Sequence, residues 1–440
     1  MAVSGWFVLL VALGVVPTVA FDSPVVTVLW LVVVLAVGGV DLALAGSPRL
    51  LELTRALPES VRLGETATSV LTVTNRGRRR VRGILRDGWQ PSAGATPTRA
   101  PVSVPAGERR SVVTRLTPFR RGERRAVHVT VRSFGPLGLV ARQASIAEAS
   151  TLRVLPPFAS RKHLPSRLAR LRELDGATSV QMRGAGTEFD SIREYVRGDD
   201  VRSIDWRATA RHSDPVSGTA QKLMLRTWRP ERDRRVVVII DSGRTSAARV
   251  GDEPRIDTAF EASLLLAALA SRAGDRVDTV IYDRRVRGRV QGATGAELLS
   301  RLVTTMAPIQ PELIEMDWTA VPELVRSVTS GRALVVVLTS IDQAGSSRAL
   351  LSVLPQLTRR HLVVVASVTD PDVAAATLPA ARVDRAGVYR AAAAERALLD
   401  TARVAAALRG LGAEVVTGTP PDLPPALADR YIALKRAGRL

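Results

Sequence analysis

The 440-residue chain contains no cysteine, which excludes disulfide staples, thiolate metal sites, iron–sulfur clusters and cysteine nucleophiles together. Lysine is almost as scarce. Lys162, Lys222 and Lys435 are the only three, so the surplus of 62 Lys+Arg over 42 Asp+Glu, a formal net charge of +20, is carried by arginine. Aromatic residues make up 4% of the chain and do not interleave with the arginine runs. Base stacking therefore has no platform, and no nucleic-acid partner is expected. The four histidines (His128, His163, His212 and His361) are scattered without an HExxH pair, and neither a P-loop nor a GxSxG elbow is present. What remains is ordinary: 46% hydrophobic and 24% charged residues describe a folded chain and exclude wholesale disorder.

Residues 3–21 are uncharged and apolar, Asp22, Ser23 and Pro24 interrupt the run, and 25–45 is apolar again apart from Asp41. A membrane-crossing helix needs about 20 mainly apolar residues. Residues 1–46 therefore read as a transmembrane helical hairpin. The alternative is a signal peptide ending near Thr18-Val19-Ala20 and followed by one anchor, but no Lys or Arg precedes the apolar run as a signal peptide requires. Arg49 and Arg55 follow the second span and only Asp22 lies in the turn, which by the positive-inside rule predicts a multi-pass protein of the cell membrane with the bulk of the chain cytoplasmic.

Beyond the hairpin the periodicity changes. Within 57–155, segments such as 69–74 and 126–131 alternate with period two, and Pro91, Pro97, Pro101, Pro105 and Pro118 leave no room for a long helix. A small β-sandwich is predicted, with Arg78 to Arg80 and Arg120, Arg121, Arg124 and Arg125 at solvated turns near an anionic membrane face. Residues 160–234 form a basic stretch and a charge-dense segment. Residues 235–418 alternate short apolar strands (236–240, 277–282, 333–338 and 362–368) with helices such as 256–273. Strands so uniformly apolar are buried on both faces, and the alternation predicts a doubly wound α/β domain with its chemistry in the loops after residues 240 and 338. Residues 419–440 read as a tail.

The loop Asp241-Ser242-Gly243-Arg244-Thr245 resembles the first motif of von Willebrand factor A-type domains, an Asp-x-Ser-x-Ser whose oxygens hold Mg²⁺. Upstream, residues 186–211 carry Glu188, Arg193, Tyr195, Gly198, Asp199, Asp200, Arg202, Asp205, Trp206 and Arg211 in an order similar to the hallmark segment of the bacterial domain of unknown function 58 family. Phe119-Arg120-Arg121-Gly122 and Phe134-Gly135-Pro136-Leu137-Gly138-Leu139 resemble the same family in the β-region. The resemblance implies a membrane hairpin, an A-type domain and a MoxR-type AAA+ ATPase as partner. It assigns Asp241, Thr245 and Thr319 to a metal site. That site is degenerate, because Gly243 replaces the second serine and Ser340 stands where an acidic residue is expected. Ser242 or Asp342 could compensate from adjacent positions. Residues 213–220 look like an insertion after the hallmark.

Asp199, Asp200 and Asp205 are clustered carboxylates, and such clusters bind divalent metals or do acid–base work. Arg193, Arg197, Arg202, Arg207 and Arg211 interleave with them, hold carboxylates ionised and compete for their oxygens. An ion-pair network, covered by Tyr195 and Trp206, is the expected role, whether structural or partner-binding. The resulting functional expectation is a non-catalytic, membrane-anchored adaptor that needs no cofactor, works with the ATPase and acts on a client the sequence does not name. A metal-dependent hydrolase using the hallmark carboxylates is the alternative.

Overall fold

The computed structural model describes residues 2–178, 188–196, 201–211, 223–229, 234–342 and 344–440. They form a mixed α/β structure with several sheets, divided into two compact units: residues 1–157 with 306–309, and the remainder from 158 to 440.

Among the described residues one helix, and not the two expected, is long and apolar enough to cross a membrane, a property that signal sequences share. It is Pro24–Leu44, with Pro24 at its first turn, where a missing N–H costs nothing. The earlier apolar run breaks into Gly5–Leu13 and Val15–Phe21. Pro17 explains the break, since its ring clashes with the carbonyl four residues back, that of Leu13. Gly14 at the break also lets Trp30 pack closely: a Cβ there would lie 2.4 Å from the indole, whose N–H donates to the Leu10 carbonyl at 3.0 Å.

Two β-sheets follow. One runs Ala2–Val3, Val140–Leu155, Gly122–Phe134, Val81–Trp89 and Arg99–Val104, with Ser60–Arg62 paired to Val140–Leu155; the other runs Leu51–Ala56, Ala67–Asn75, Arg109–Leu116 and Ala95–Thr96. Leu53, Leu71 and Val73 from the second meet Leu85, Val104, Val129 and Val131 from the first in one core. Each such side chain contributes roughly 1.5–3 kcal/mol when fully buried. The side chains of Arg55, counted above for membrane orientation, and Arg121, expected at a solvated turn, are both buried. Arg55 lies inside, 1% exposed, and forms a two-pronged pair with Asp87 at 2.7 and 2.8 Å while stacking over Trp89. Arg121 is also 1% exposed and donates to the carbonyls of Met306, Ala307 and Ile309. Pairing and backbone acceptors offset the cost of burying these charges.

The second unit contains a six-stranded sheet in the order Val286–Val290, Arg276–Tyr282, Arg235–Asp241, Leu334–Leu338, Leu362–Val368, Glu414–Gly418. Val286–Val290 is antiparallel to its neighbour and all other pairs are parallel. The four expected apolar strands are present, and two edge strands join them. Val237, Ile239, Val335, Val337, Val363 and Val365 face the helices Val321–Val328, Ala344–Thr358 and Arg385–Gly410. Val236, Val238 and Ile240 point to the other face, where Arg255–Arg272 and Leu423–Arg436 pack. That last helix lies in the segment read from the sequence as a tail. Leu423, Leu427 and Tyr431 recur at i, i+4 and are buried, with the Tyr431 hydroxyl and the Lys435 ammonium both on Asp275.

Candidate functional site

Arg235–Asp241 pairs on one side with Arg276–Tyr282, toward which the chain runs next, and on the other with Leu334–Leu338, to which the chain crosses back from Val286–Val290, so the strand order reverses about Arg235–Asp241. The crevice beyond the carboxyl ends of these strands is where doubly wound sheets place ligands. Asp241 ends its strand there, buried. Its Oδ1 accepts from the Gly243 amide at 2.7 Å, and its Oδ2 accepts from the hydroxyls of Thr339 at 2.7 Å and Thr245 at 3.0 Å. Burial raises its pKa above the usual carboxylate range, the three hydrogen bonds pull the other way, and the charge of Glu315 adds to the rise.

Of the three residues assigned to a metal, Asp241 and Thr245 meet. Thr319 does not join them: its hydroxyl and amide both bond Asp317 Oδ1, at 2.5 and 3.0 Å, in the turn before Val321–Val328. Gly243 is hemmed in by chain. Residues 312–316 cross the loop, with Arg244 N–H donating to the Ile314 carbonyl at 2.7 Å and Glu312 N–H to that of Ser242 at 2.9 Å, so a Cβ on Gly243 would stand 2.8 Å from the Ile314 oxygen. Ser242 turns instead to Asp283, which also accepts from the amides of Arg284 and Arg285.

The sequence reading missed Arg255. It opens the helix Arg255–Arg272, donates to Ser340 Oγ at 2.5 Å and pairs with Asp342. Asp283, with Arg287 at 3.4 Å, was also missed as a site residue. Only its position at the end of a buried strand signals it. Among the described residues no group of three or more His, Cys, Asp or Glu side chains converges as a metal site.

The hallmark segment folds separately. Glu188–Glu194 pairs antiparallel with Met224–Arg229, placing Glu188 opposite Arg229 and Arg193 opposite Leu225. Asp205 caps the helix Trp206–Arg211: its Oδ1 accepts from the amides of Arg207 and Ala208, both at 3.0 Å, and its Oδ2 from Arg226 at 2.7 Å. The Ala208 amide first and Arg226 second hold its pKa below the ordinary range. Its ion partner thus comes from a strand downstream of the hallmark. Trp206 is 68% exposed, while Tyr195 is half-buried, its amide on the Leu223 carbonyl. Arg202 lies in the short helix Val201–Ser203 and Arg211 ends Trp206–Arg211. Gly198, Asp199 and Asp200 fall outside the described residues.

Among solved structures, the CARDB domain of the PF1109 protein from Pyrococcus furiosus is 18% identical and covers 24% of this chain and 91% of its own, with a TM-score of 0.19. A β-glucosidase from Listeria innocua is 19% identical and covers 24% of this chain and 16% of its own, with a TM-score of 0.17. At those scores neither likeness carries an argument. Uncharacterised proteins of Mycobacterium tuberculosis (Rv1480) and Mycobacterium bovis (Mb1516) are each 29% identical over 283 residues, covering 58% of this chain and 82% of theirs. Residues 191–407, from the hallmark strand into the last long helix, match the family described as protein of unknown function DUF58.

Proposed function

We propose that the chain is a membrane-anchored, non-catalytic adaptor whose von Willebrand factor A-like unit and hallmark segment present a binding face to a protein partner. Four exposed apolar side chains among the described residues of the hallmark carry this reading. Ile192, Val196, Val201 and Trp206 all stand in solvent within one short stretch, with the exposed Arg207 next to Trp206. Exposed tryptophan beside arginine is the composition of binding hot spots, whereas a purely structural network would cover its aromatic. Asp205, whose oxygens accept from Arg226 and two amides, serves as a cap. The switch-point position of Asp241, in a sheet whose strand order reverses about Arg235–Asp241, supports the A-like assignment. The partner class, a MoxR-type AAA+ ATPase, follows from the family resemblance alone.

The anchor belongs to the same proposal. Ala2 and Val3 pair with Ala141 and Val140, the Ser4 amide donates to the Leu139 carbonyl, and Asp41 binds the same loop. Both ends of the apolar segment are thereby tied to one edge of the β-region. The helices leave it and return to it, as a two-armed hairpin entering the membrane from one side does. The first arm, 17 residues over Gly5–Phe21, is at the short end of what a span requires.

Affinity purification from membranes of the producing organism, with the chain tagged after Leu440, tests the adaptor. An AAA+ ATPase should be recovered with the unmodified chain and lost with Trp206→Ala at equal expression and unchanged Tm. Undiminished recovery with the variant, or no ATPase with either, overturns the reading.

A further inference from the structure

The two loops at the carboxyl end of the parallel sheet are rich in oxygen, bearing Asp241, Ser242 and Thr245 in one and Thr339, Ser340 and Asp342 in the other. Hard divalent cations take such oxygens, and Mg²⁺ demands them in nearly octahedral array. A cation is already beside this set. The Arg255 side chain, 15% exposed, reaches from the first turn of its helix to Ser340 Oγ and the Asp342 carboxylate. Ser340 follows Thr339, whose hydroxyl rests on Asp241, and Arg255, Ser246, Thr339 and Ser340 line one small cleft.

We propose that the guanidinium of Arg255 takes the place of a metal ion at this end of the sheet, tying the loop 339–342 to the helix Arg255–Arg272 and closing the site to divalent cations. Three observations converge. First, the oxygens are spoken for: Asp241 faces three hydrogen donors, while Ser340 and Asp342 face Arg255. Second, an oxygen-bearing side chain at 243 has no space, because the Ile314 carbonyl and the Met316 amide lie 2.8 and 3.2 Å from where its Cβ would stand. Third, a guanidinium does not lose its proton in proteins, so the charge is permanent and repels a second cation at every working pH. Ser340 is thereby explained. A hydroxyl accepts one Arg255 hydrogen without adding charge, whereas the aspartate expected from the motif would compete with Asp342 for the same guanidinium. This inference does not rest on the adaptor reading, since a metal-free loop is compatible with any partner.

The test uses the full chain in detergent micelles with Mn²⁺ as the probe, read by electron paramagnetic resonance and by the Mn²⁺-dependent shift in Tm. The unmodified chain should bind no Mn²⁺ at millimolar concentration, and neither should Arg255→Lys. Arg255→Met, which leaves Asp342 without its cation, should gain binding by at least about tenfold and lose it again when combined with Asp342→Asn. Arg255→Gln, which keeps donors without the charge, serves the same purpose where the methionine variant does not fold. Mn²⁺ binding by the unmodified chain that Asp241→Asn abolishes overturns the proposal, as does a folded charge-removing variant that binds Mn²⁺ no better than the parent.

Discussion

The Asp41 carboxylate, in the last turns of the apolar helix Pro24–Leu44, accepts the Leu139 amide at 2.9 Å although the two residues are 98 positions apart. The amides of Leu137 and Val140 donate to the same side chain at 2.8 and 3.0 Å. The family-like run from Phe134 to Leu139 is therefore a cradle for one buried carboxylate, and Gly135 belongs there because a Cβ would stand 2.2 Å from Asp41. Arg142 and Arg79 add donors to the carbonyls of Leu42 and Ala43, orphaned at the end of the helix. The apolar helix is thus bonded directly to the β-region.

Asp41→Ala should loosen that joint. It leaves buried amides without acceptors, each costing about 1–3 kcal/mol, so a loss of roughly 3 kcal/mol or more is expected in thermal unfolding in detergent, with new protease cleavage near residue 46. A variant as stable and protease-resistant as the parent would show that the loop is held by something else.

The buried and exposed ion pairs of the first unit should behave differently. Arg55→Ala strands Asp87 in the core and should cost about 3–5 kcal/mol. Arg76→Ala breaks a pair with Glu52 in which both side chains are more than half exposed and should cost about 1 kcal/mol or less. Urea midpoints with unchanged slopes measure both, and equal losses would contradict the burial argument.

Topology is checked with reporters. A reporter active only outside the cell should be silent when fused after Leu440 and active when inserted beside Asp22, in the turn between the two apolar arms. Activity at Leu440 would reverse the proposed orientation, and silence at both positions would remove the hairpin.

Asp241 gives a pH signature. Its pKa is raised in the folded chain, so the folded state binds a proton there more readily than the unfolded state. The carboxylate therefore destabilises the fold increasingly as pH rises from its ordinary range near about 4 to the raised value, and by a constant amount above it. Asp241→Asn cannot ionise. Its Tm relative to the parent should climb across that interval and then level off, and a difference independent of pH would exclude a raised pKa.

Gly243→Ser combined with Ser340→Asp restores the letters of the metal motif, yet it should not restore a site. Forcing a side chain against Ile314 should cost about 1–3 kcal/mol, and the new aspartate should pair with Arg255. No Mg²⁺-dependent rise in Tm is expected, and a clear rise would show that the 312–316 segment yields.

The strands read at 236–240, 277–282, 333–338 and 362–368 were legible in the sequence because each is buried on both faces, and burial on both faces leaves mainly apolar runs. The apolar helix Pro24–Leu44 was legible for a different reason, since length and composition alone mark a candidate span. Position at a strand's end likewise marked Asp241. The edge strand Val286–Val290 was not legible, since Arg287, Gly288 and Arg289 interrupt its pattern and one edge strand needs only one neighbour. Nor was the fate of the charges. Arg55, Arg121 and Arg255 look alike in a chain so rich in arginine, but their acceptors lie 32, 185 to 188 and 85 residues away. Hydrophobic periodicity is a local property, recorded wherever an element turns one face inward. The partner of a charged side chain is chosen only when distant segments meet, and so tertiary structure alone decided that Asp41 would hold a loop and that an arginine would sit beside the oxygens of the sheet's end.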